Sequence, residues 1–247
     1  AGSGIGMATA LAFAREGAKV AIADIDAARG QAAAHAVNTQ GGEAIFAECD
    51  VMREASVKAA VEAAVTRFGK LDTLLNCAGG SLPADSPVTE VDMALWDQTI
   101  NLELKGTIRC CRHVIPRMIA AGGGSVVNMS SGAALRGANP AHLYTAAKGA
   151  IVALTRTLAG TYAKHNVRAN CICAGRINTE RIRRSYGLPG RPGGVADRQD
   201  AAAQVKRYPF WVGEPEDIAA IALFLASHES RMITGAAIPA DGGRSAY

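Results

Sequence analysis

The sequence predicts an α/β protein in which helices cover both faces of a doubly wound parallel sheet. Short apolar runs of strand length alternate with longer segments of helical periodicity along the whole chain. No repeat with a period of about 20 to 50 residues interrupts this alternation. Each crossover returns the chain to the same edge of the sheet, so we expect a parallel sheet in three αβα layers.

This alternation predicts the bounds of each strand and helix. The predicted strands are 19–23, 43–48, 73–77, 125–129, 168–173 and 236–239. The predicted helices are 7–16, 27–39, 54–68, 88–120, 141–162 and 215–226. In such a fold, ligands bind beyond the carboxyl ends of the strands.

The length of 247 residues suits one domain, with a substrate-loop insertion expected at about 179–214. Ala1 already lies inside a glycine-rich turn, and no strand precedes it. The strand before this turn is central in a doubly wound sheet, so we expect it to lie before residue 1.

Composition favours a soluble, cytoplasmic protein. Hydrophobic residues make up 49% and charged residues 19% of the chain. No apolar run reaches the roughly 18 residues that a membrane-spanning helix needs, and no leader peptide is visible. The cysteines form no CxxC pair and are expected to be buried thiols in a reducing compartment. They are Cys49, Cys77, Cys110, Cys111, Cys171 and Cys173.

Basic residues concentrate in one segment. Residues 176–207 hold eight basic and three acidic side chains. The segment's net charge of +5 exceeds the net charge of +4 for the whole chain. A solvated surface segment explains this excess, and the scarcity of interleaved aromatic residues argues against nucleic-acid binding. The alternative is an acidic substrate bound by Arg176, Arg181, Arg183 or Arg184.

The GSGIG segment, residues 2–6, opens the first predicted helix. Glycines there let the backbone approach a pyrophosphate at the helix N-terminus, where free N–H groups and the helix dipole favour an anion. Asp24 ends the next strand, where dinucleotide-binding folds place the acid that bonds the adenosine ribose. A carboxylate would repel the extra phosphate of NADP, so Asp24 favours NAD, although a solvated strand-end aspartate is the alternative.

Two further segments end strands at the same edge of the predicted sheet. Asp50 and Val51 follow the strand 43–48, and the NCAG segment, residues 76–79, ends the strand 73–77. Either segment taken singly is also typical of an ordinary turn.

The candidate catalytic residues are Ser131, Tyr144 and Lys148. Tyr144 and Lys148 are four positions apart in a predicted helix, so their side chains share one face. An ammonium about 5 Å from the phenol would stabilise the phenolate by about 3 kcal/mol, which brings tyrosine within range of acid/base work at neutral pH. A YxxxK pair by itself could also be an ordinary surface pair.

The chain resembles the short-chain dehydrogenase/reductase family from its first residue almost to its last. The matching stretches are AGSGIG, CDV, NCAG, INLELKG, VNMSS, YTAAK, GRINT and ITGAAIPADGG. Their order and spacing match together, including the 13 positions from Ser131 to Tyr144. The resemblance implies a Rossmann fold, an NAD-dependent alcohol dehydrogenase or ketone reductase, and a homotetramer that pairs helices 88–120 and 141–162.

The resemblance also implies a role for each matched residue. Ser131 would bond the substrate oxygen, Tyr144 would transfer the hydroxyl proton, Lys148 would lower the tyrosine pKa and bind the nicotinamide ribose, and Asn101 would hold a water that links Lys148 to solvent. The expected cofactor contacts are Ser3, Gly4, Ile5, Gly6, Asp24, Asp50, Val51, Asn76, Ala78, Gly79, Tyr144, Lys148, Gly175, Ile177 and Thr179. No metal is expected, because the serine and tyrosine polarise the substrate oxygen. His142 is a candidate second base, with a pocket-wall or surface residue as the alternative.

The chain departs from the family at two positions. Ala174-Gly175 stands where the family usually has Pro-Gly, and the first threonine and glycine of the phosphate turn are absent. Two other functions remain open: an NADPH-dependent reductase of the 3-ketoacyl type, and a nucleotide-binding protein that does no chemistry. Asp24 argues against the first, and the intact set of Asn101, Ser131, Tyr144 and Lys148 argues against the second.

Overall fold

The computed structural model describes residues 1–137, 139–186 and 210–246. The strands are β1 (Lys19–Asp24), β2 (Glu43–Glu48), β3 (Thr73–Asn76), β4 (Gly124–Ser131), β5 (Val167–Ala174), β6 (Arg176–Ile177), β7 (Val212–Gly213) and β8 (Ala237–Ala240). The helices are α1 (Gly4–Arg15), α2 (Ala27–Thr39), α3 (Glu54–Phe68), α4 (Ala94–Ile100), α5 (Gly106–Ala120), α6 (His142–Tyr162), α7 (Glu180–Tyr186) and α8 (Pro215–Ala226). A π-helical turn, Asn101–Lys105, joins α4 to α5.

The strand pairs that the structure describes are all parallel, and the predicted αβα fold is confirmed. Strands β3, β4, β5 and β8 form one hydrogen-bonded sheet in that order, while β1 pairs with β2 and β6 with β7. The β4–β5 register runs from Gly124 opposite Val167 to Ser131 opposite Ala174. Their carboxyl ends therefore lie side by side, at the edge where the sequence predicts the site.

The core lies on both faces of β4 and β5. Val126 packs with Met118 of α5 on one face, and Val127 packs with Ile218 of α8 on the other. Successive residues of a strand point to opposite faces, so a strand covered on both sides needs a continuous apolar run. Cys111, Cys171 and Cys173 are buried around these strands and Cys49 is buried beside α3, whereas Cys77 and Cys110 are only partly buried.

The helix predicted at 88–120 begins later than expected. Pro87 starts a turn in which its carbonyl accepts the N–H groups of Glu90 and Val91, and the Asp92 Oδ1 then accepts the Ala94 N–H at 2.8 Å. The helix therefore starts at Ala94, because proline and a capping aspartate terminate the preceding turn.

Much of the predicted insertion at 179–214, namely residues 187–209, lies outside the described residues. The described parts of it contain α7 and β7, neither of which was predicted from the sequence. In the part of the chain that the structure describes, none of the helices combines the length and apolar character needed to cross a membrane.

Candidate active site

The glycine-rich turn before α1 is shaped by close packing. Gly4 has a φ of +52°, a left-handed conformation that suits glycine. A Cβ atom on Gly2 would lie 2.7 Å from the backbone carbonyl carbon of Arg29, and one on Gly4 would lie 3.0 Å from Thr179 Cγ2. Ser3 is exposed and makes no side-chain capping bond to α1. The first turn of this helix can therefore offer its backbone N–H groups to an anion.

Asp24 ends β1 beside this turn. Its Oδ2 accepts the Gly2 N–H at 2.7 Å, and its Oδ1 accepts the Asp26 N–H at 2.9 Å. Burial raises the pKa of the Asp24 carboxyl, whereas hydrogen bonds to it, among them those from the Gly2 and Asp26 N–H groups, lower the pKa below its usual value. A charged carboxylate therefore stands at the carboxyl end of β1 at neutral pH.

The ends of β2 and β3 reach the same edge of the sheet. The Asp50 Oδ1 accepts the Met52 N–H at 2.9 Å, and the Val51 carbonyl accepts a bond from Arg109 of α5 at 3.1 Å. The buried Asn76 amide donates to Asn128 Oδ1 of β4 at 2.8 Å. Asn76 thus links β3 to β4. The sequence predicted a cofactor contact at Asn76 and did not predict this structural role.

Tyr144 and Lys148 lie where α6 passes the end of β4. The Lys148 Nζ is 5.6 Å from the centroid of the Tyr144 ring. It donates to the Met129 carbonyl at 2.9 Å, and the Ser130 hydroxyl donates to the Lys148 carbonyl at 2.8 Å. These bonds fix α6 to the end of β4, whose last residue is Ser131. The Ser131 oxygen accepts one backbone N–H from the turn that follows, which leaves its hydroxyl proton to donate elsewhere.

The acidic side chain that meets the Lys148 ammonium is Glu103, which the sequence analysis missed. Its Oε2 lies 2.8 Å from Lys148 Nζ, and the two side chains are 1% and 6% exposed respectively. Burial by itself lowers the pKa of Lys148, but the Glu103 carboxylate, together with smaller contributions from Tyr144 and Cys77, raises the pKa above its usual value. The other Glu103 oxygen accepts the Gly80 N–H.

Asn101, expected to serve Lys148, lies in the same π-helical turn two residues earlier. The direct contact with Lys148 in the structure is made by Glu103. Among the described residues, none donates a hydrogen bond to the buried Asn101 Oδ1. The link expected of Asn101 runs through a water, and it stays a prediction. The sequence did contain a signal for the contact between Glu103 and Lys148. Glu103 is a single carboxylate between Leu102 and Leu104, in a segment that has to be buried, and a buried charge needs a partner.

The first turn of α6 is held by a loop residue, Asp85. Its Oδ1 accepts the Leu143 N–H at 3.1 Å and its Oδ2 accepts the Tyr144 N–H at 2.8 Å. The exposed His142 accepts the Val88 N–H through its Nδ1 at 2.9 Å. Both contacts tie the loop before α4 to the helix that carries Tyr144, and His142 takes part as a loop anchor.

The segment after β5 lies across the sheet edge from α1. A Cβ atom on Gly175 would lie 2.6 Å from the Asp241 Cα, so only glycine fits there. Ile177 is buried in the same cluster as Ile5 of α1, and Thr179 lies against Gly4. These predicted cofactor contacts therefore converge with the glycine-rich turn.

The arginines of α7 differ in their partners. The Arg181 Nη1 donates to the Gly79 carbonyl at 3.3 Å, next to the turn that holds Glu103. Arg184 pairs with Glu180 one helical turn away, and Arg183 donates to Asn178 Oδ1 at 3.1 Å. Of these three side chains, Arg181 is the one that reaches the loop after β3.

An open groove of about 480 Å³ lies on the other side of α6. Among the described residues that line it are Met93, Trp96 and His142, and Tyr144 is not one of them. Position 144 points away from the face that carries positions 142 and 146 on a helix. This groove is therefore separate from the Tyr144–Lys148 site.

Comparison with known proteins agrees with the geometry. A family model described as enoyl-(acyl carrier protein) reductase matches residues 1–245. D-threitol dehydrogenase from Mycolicibacterium smegmatis is 37% identical, over 98% of this chain and 89% of its own. Cis-4-hydroxycyclohexanecarboxylate dehydrogenase from Sinomonas cyclohexanicum is 35% identical, over 100% of this chain and 94% of its own. The chain belongs to the short-chain dehydrogenase/reductase family.

This short-chain dehydrogenase/reductase is an oxidoreductase, with relatives named as dehydrogenases of alcohols. A solved structure of 7α-hydroxysteroid dehydrogenase complexed with NADH and 7-oxo glycochenodeoxycholic acid has a TM-score of 0.88 and 29% identity. The match covers 98% of this chain and 90% of that one. The family uses nicotinamide cofactors, which suits the glycine-rich turn and the strand-end carboxylate described above.

Proposed function

We propose that this chain is an NAD-dependent dehydrogenase that interconverts a secondary alcohol and a ketone, with Tyr144 as the acid/base. The observation that carries the proposal is the buried Lys148 ammonium 5.6 Å from the Tyr144 ring centroid, at the end of the strand that carries Ser131. A positive charge beside a phenol favours the phenolate, the form that can accept a hydroxyl proton.

The residues at the sheet edge fit a nicotinamide dinucleotide. The glycine-rich turn leaves no room for side chains, and the first turn of α1 offers N–H groups to phosphate oxygens. The Asp24 carboxylate would bond the adenosine ribose and repel an added phosphate, which favours NAD over NADP. The nearby Arg29 lies 3.2 Å from Asp26 and 3.9 Å from Glu180, so its charge is already engaged by two carboxylates.

The proposed reaction needs the nicotinamide and three side chains. Bound nicotinamide supplies the hydride acceptor for oxidation and the donor for reduction. In oxidation, the Ser131 hydroxyl donates to the substrate oxygen and the Tyr144 phenolate takes the hydroxyl proton, while the carbinol C–H bond gives up its hydride and the C=O bond forms. The Lys148 ammonium, fixed by the Met129 carbonyl, stabilises the phenolate before this transfer and ends beside a neutral phenol.

Replacing Tyr144 by phenylalanine is the direct test. The ring still packs, so binding of NADH, followed by its fluorescence, should change little. Turnover of a panel of secondary alcohols with NAD should fall by a factor of about 100 or more, because general acid/base groups contribute at least that much. If the variant keeps more than about a tenth of the wild-type rate, Tyr144 is not the acid/base.

An acidic substrate is a second proposal within the same reaction. Arg181 reaches the loop after β3, and two relatives have names or titles that include an acid: a hydroxycyclohexanecarboxylate and a glycochenodeoxycholic acid. Arg184, by contrast, is paired with Glu180. For cis-4-hydroxycyclohexanecarboxylate against cyclohexanol, Arg181→Ala should raise the KM of the carboxylate alone about tenfold or more, since one charge-assisted bond is lost. Arg184→Ala is the matched control, and equal effects on both alcohols would remove Arg181 from this role.

We also propose the homotetramer and the cytoplasmic location expected from the sequence. Support for assembly comes from apolar side chains exposed along the α4–α6 side, where Val88 is 71%, Met93 63% and Trp96 41% exposed. Surface of this kind is typical of subunit interfaces. Light scattering after size exclusion tests it, and a monomer at micromolar concentration would contradict it.

A further inference from the structure

We propose that Glu103 is a positioning residue that compensates the charge of Lys148 and so sets the pH at which Tyr144 exchanges its proton. The inference rests on the proposed function, because it concerns the same Tyr144–Lys148 pair. It concerns a residue to which the sequence resemblance gave no role.

Glu103 contacts three parts of the fold: α6, the loop after β3 and α5. Its Oε2 lies 2.8 Å from Lys148 Nζ on α6, and its Oε1 accepts the Gly80 N–H after β3. Its own carbonyl accepts the Thr107 hydroxyl of α5 at 3.0 Å. Gly79 has a φ of +143°, and a Cβ atom there would lie 2.3 Å from Glu103 Oε2. The glycine at this position therefore makes room for the carboxylate.

The ion pair changes the electrostatic potential at the Tyr144 phenol. Lys148 Nζ is 5.6 Å from the ring centroid and 2.8 Å from Glu103 Oε2, so the carboxylate oxygen is no more than about 8 Å from that centroid. Opposite charges at comparable distances largely cancel, especially when both are buried. A Lys148–Glu103 pair therefore favours the phenolate much less than a lone ammonium would. The enzyme should consequently work at higher pH than one with a neutral residue at position 103.

Other ionisable groups lie near the pair and Tyr144, among them Asp85, which accepts the Tyr144 N–H, and His142, two residues before Tyr144. The Cys77 thiol, which follows β3, has a pKa raised by burial and stays neutral. The guanidinium of Arg181 on α7 bonds the Gly79 carbonyl. Asp24 of β1 has a pKa below its usual value and stays ionised. These groups are the same in the wild type and in Glu103→Gln, so a difference between the two titrations reports on the pair itself.

The test is an ultraviolet titration of tyrosinate absorbance in the protein without cofactor or substrate. Subtracting the Tyr144→Phe titration isolates Tyr144 from the other tyrosines of the chain. For Glu103→Gln, the Tyr144 midpoint should fall by about one pH unit or more, because one buried charge is no longer compensated. Glu62→Gln is the matched control, since Glu62 pairs with Lys58 on the exposed face of α3. Its titration should coincide with that of the wild type.

A double variant covers the case in which a buried ammonium without its partner prevents folding. Glu103→Gln with Lys148→Met removes both charges, and replacing a whole buried pair is often tolerated. Its Tyr144 midpoint should lie within about one pH unit of the wild type, since both pairs are neutral overall.

Two results would overturn the inference. One is a fall of less than about half a pH unit, or a rise, for folded Glu103→Gln; the other is a double variant more than about one unit from the wild type. The titration needs no turnover, so it is separate from the proposed function. An inactive Tyr144→Phe with no shift in Glu103→Gln would reject the role of Glu103 alone, whereas an active Tyr144→Phe would reject the proposed function.

Discussion

Replacing Asp85 by alanine removes the carboxylate that holds the first turn of α6. The structure shows two backbone N–H groups, those of Leu143 and Tyr144, bonded to its two oxygens at 3.1 and 2.8 Å. Ala141, which precedes the helix, supplies no side-chain cap, so this carboxylate does the capping from a distant loop. Loss of one cap costs about 1 kcal/mol, and the second bond with the helix-dipole interaction brings the expected cost to about 2 kcal/mol. For a chain of this size that lowers Tm by about 4–8 °C.

Loosening the first turn should also affect catalysis, because Tyr144 lies within it. We expect kcat to fall about tenfold from the misplaced phenol, with KM for NAD nearly unchanged. Thermal unfolding by circular dichroism and steady-state kinetics with NAD measure the two effects. The matched control is Asp92→Ala, which removes a single cap at α4, 2.8 Å from the Ala94 N–H, and should cost about 1 kcal/mol without a change in kcat. If Asp85→Ala resembles this control in both stability and kcat, the reasoning that Asp85 positions Tyr144 is refuted.

Three further predictions concern cofactor choice and stability. Asp24→Ser should raise kcat/KM with NADP relative to NAD by a factor of about 10 or more, because the repelling charge is gone; no change in the ratio would contradict the role of Asp24. Arg168→Met should lower the free energy of unfolding by about 3 kcal/mol, measured in urea, because the carbonyls of Leu225, Ser227 and Ser230 lose a charged donor; a cost below about 1 kcal/mol would contradict it. The raised pKa of Lys148 means that the ion pair stabilises the fold fully below the unfolded lysine pKa of about 10.4 and loses this effect as the pH rises further. The difference in unfolding free energy between wild type and Glu103→Gln should therefore stay near 3 kcal/mol from about pH 7 to 9 and shrink above about pH 10; a difference that grows there would reverse the sign.

Local sequence was sufficient for the regular elements of the fold. Helices 27–39, 54–68 and 215–226 and the strand 43–48 were predicted with the bounds that the structure shows. Their periodicity and terminal residues act over a few positions, which is the range that a sequence pattern reports. The helix predicted from residue 88 was too long at its start, because the turn after Pro87 depends on contacts with α6, including the His142 bond to Val88.

The sequence also determined that Tyr144 and Lys148 share one face of α6, because a spacing of four on one helix fixes their relation without any other element. It did not predict the contact between Glu103 and Lys148. Glu103 lies in a π-helical turn, and its contact depends on how that turn is rotated against α6 and the loop after β3. Likewise, Asp85 caps α6 from more than 50 residues away, a contact made only when the loop folds back. Spacing determines the groups within one element, whereas tertiary packing decides which distant charge stands beside them.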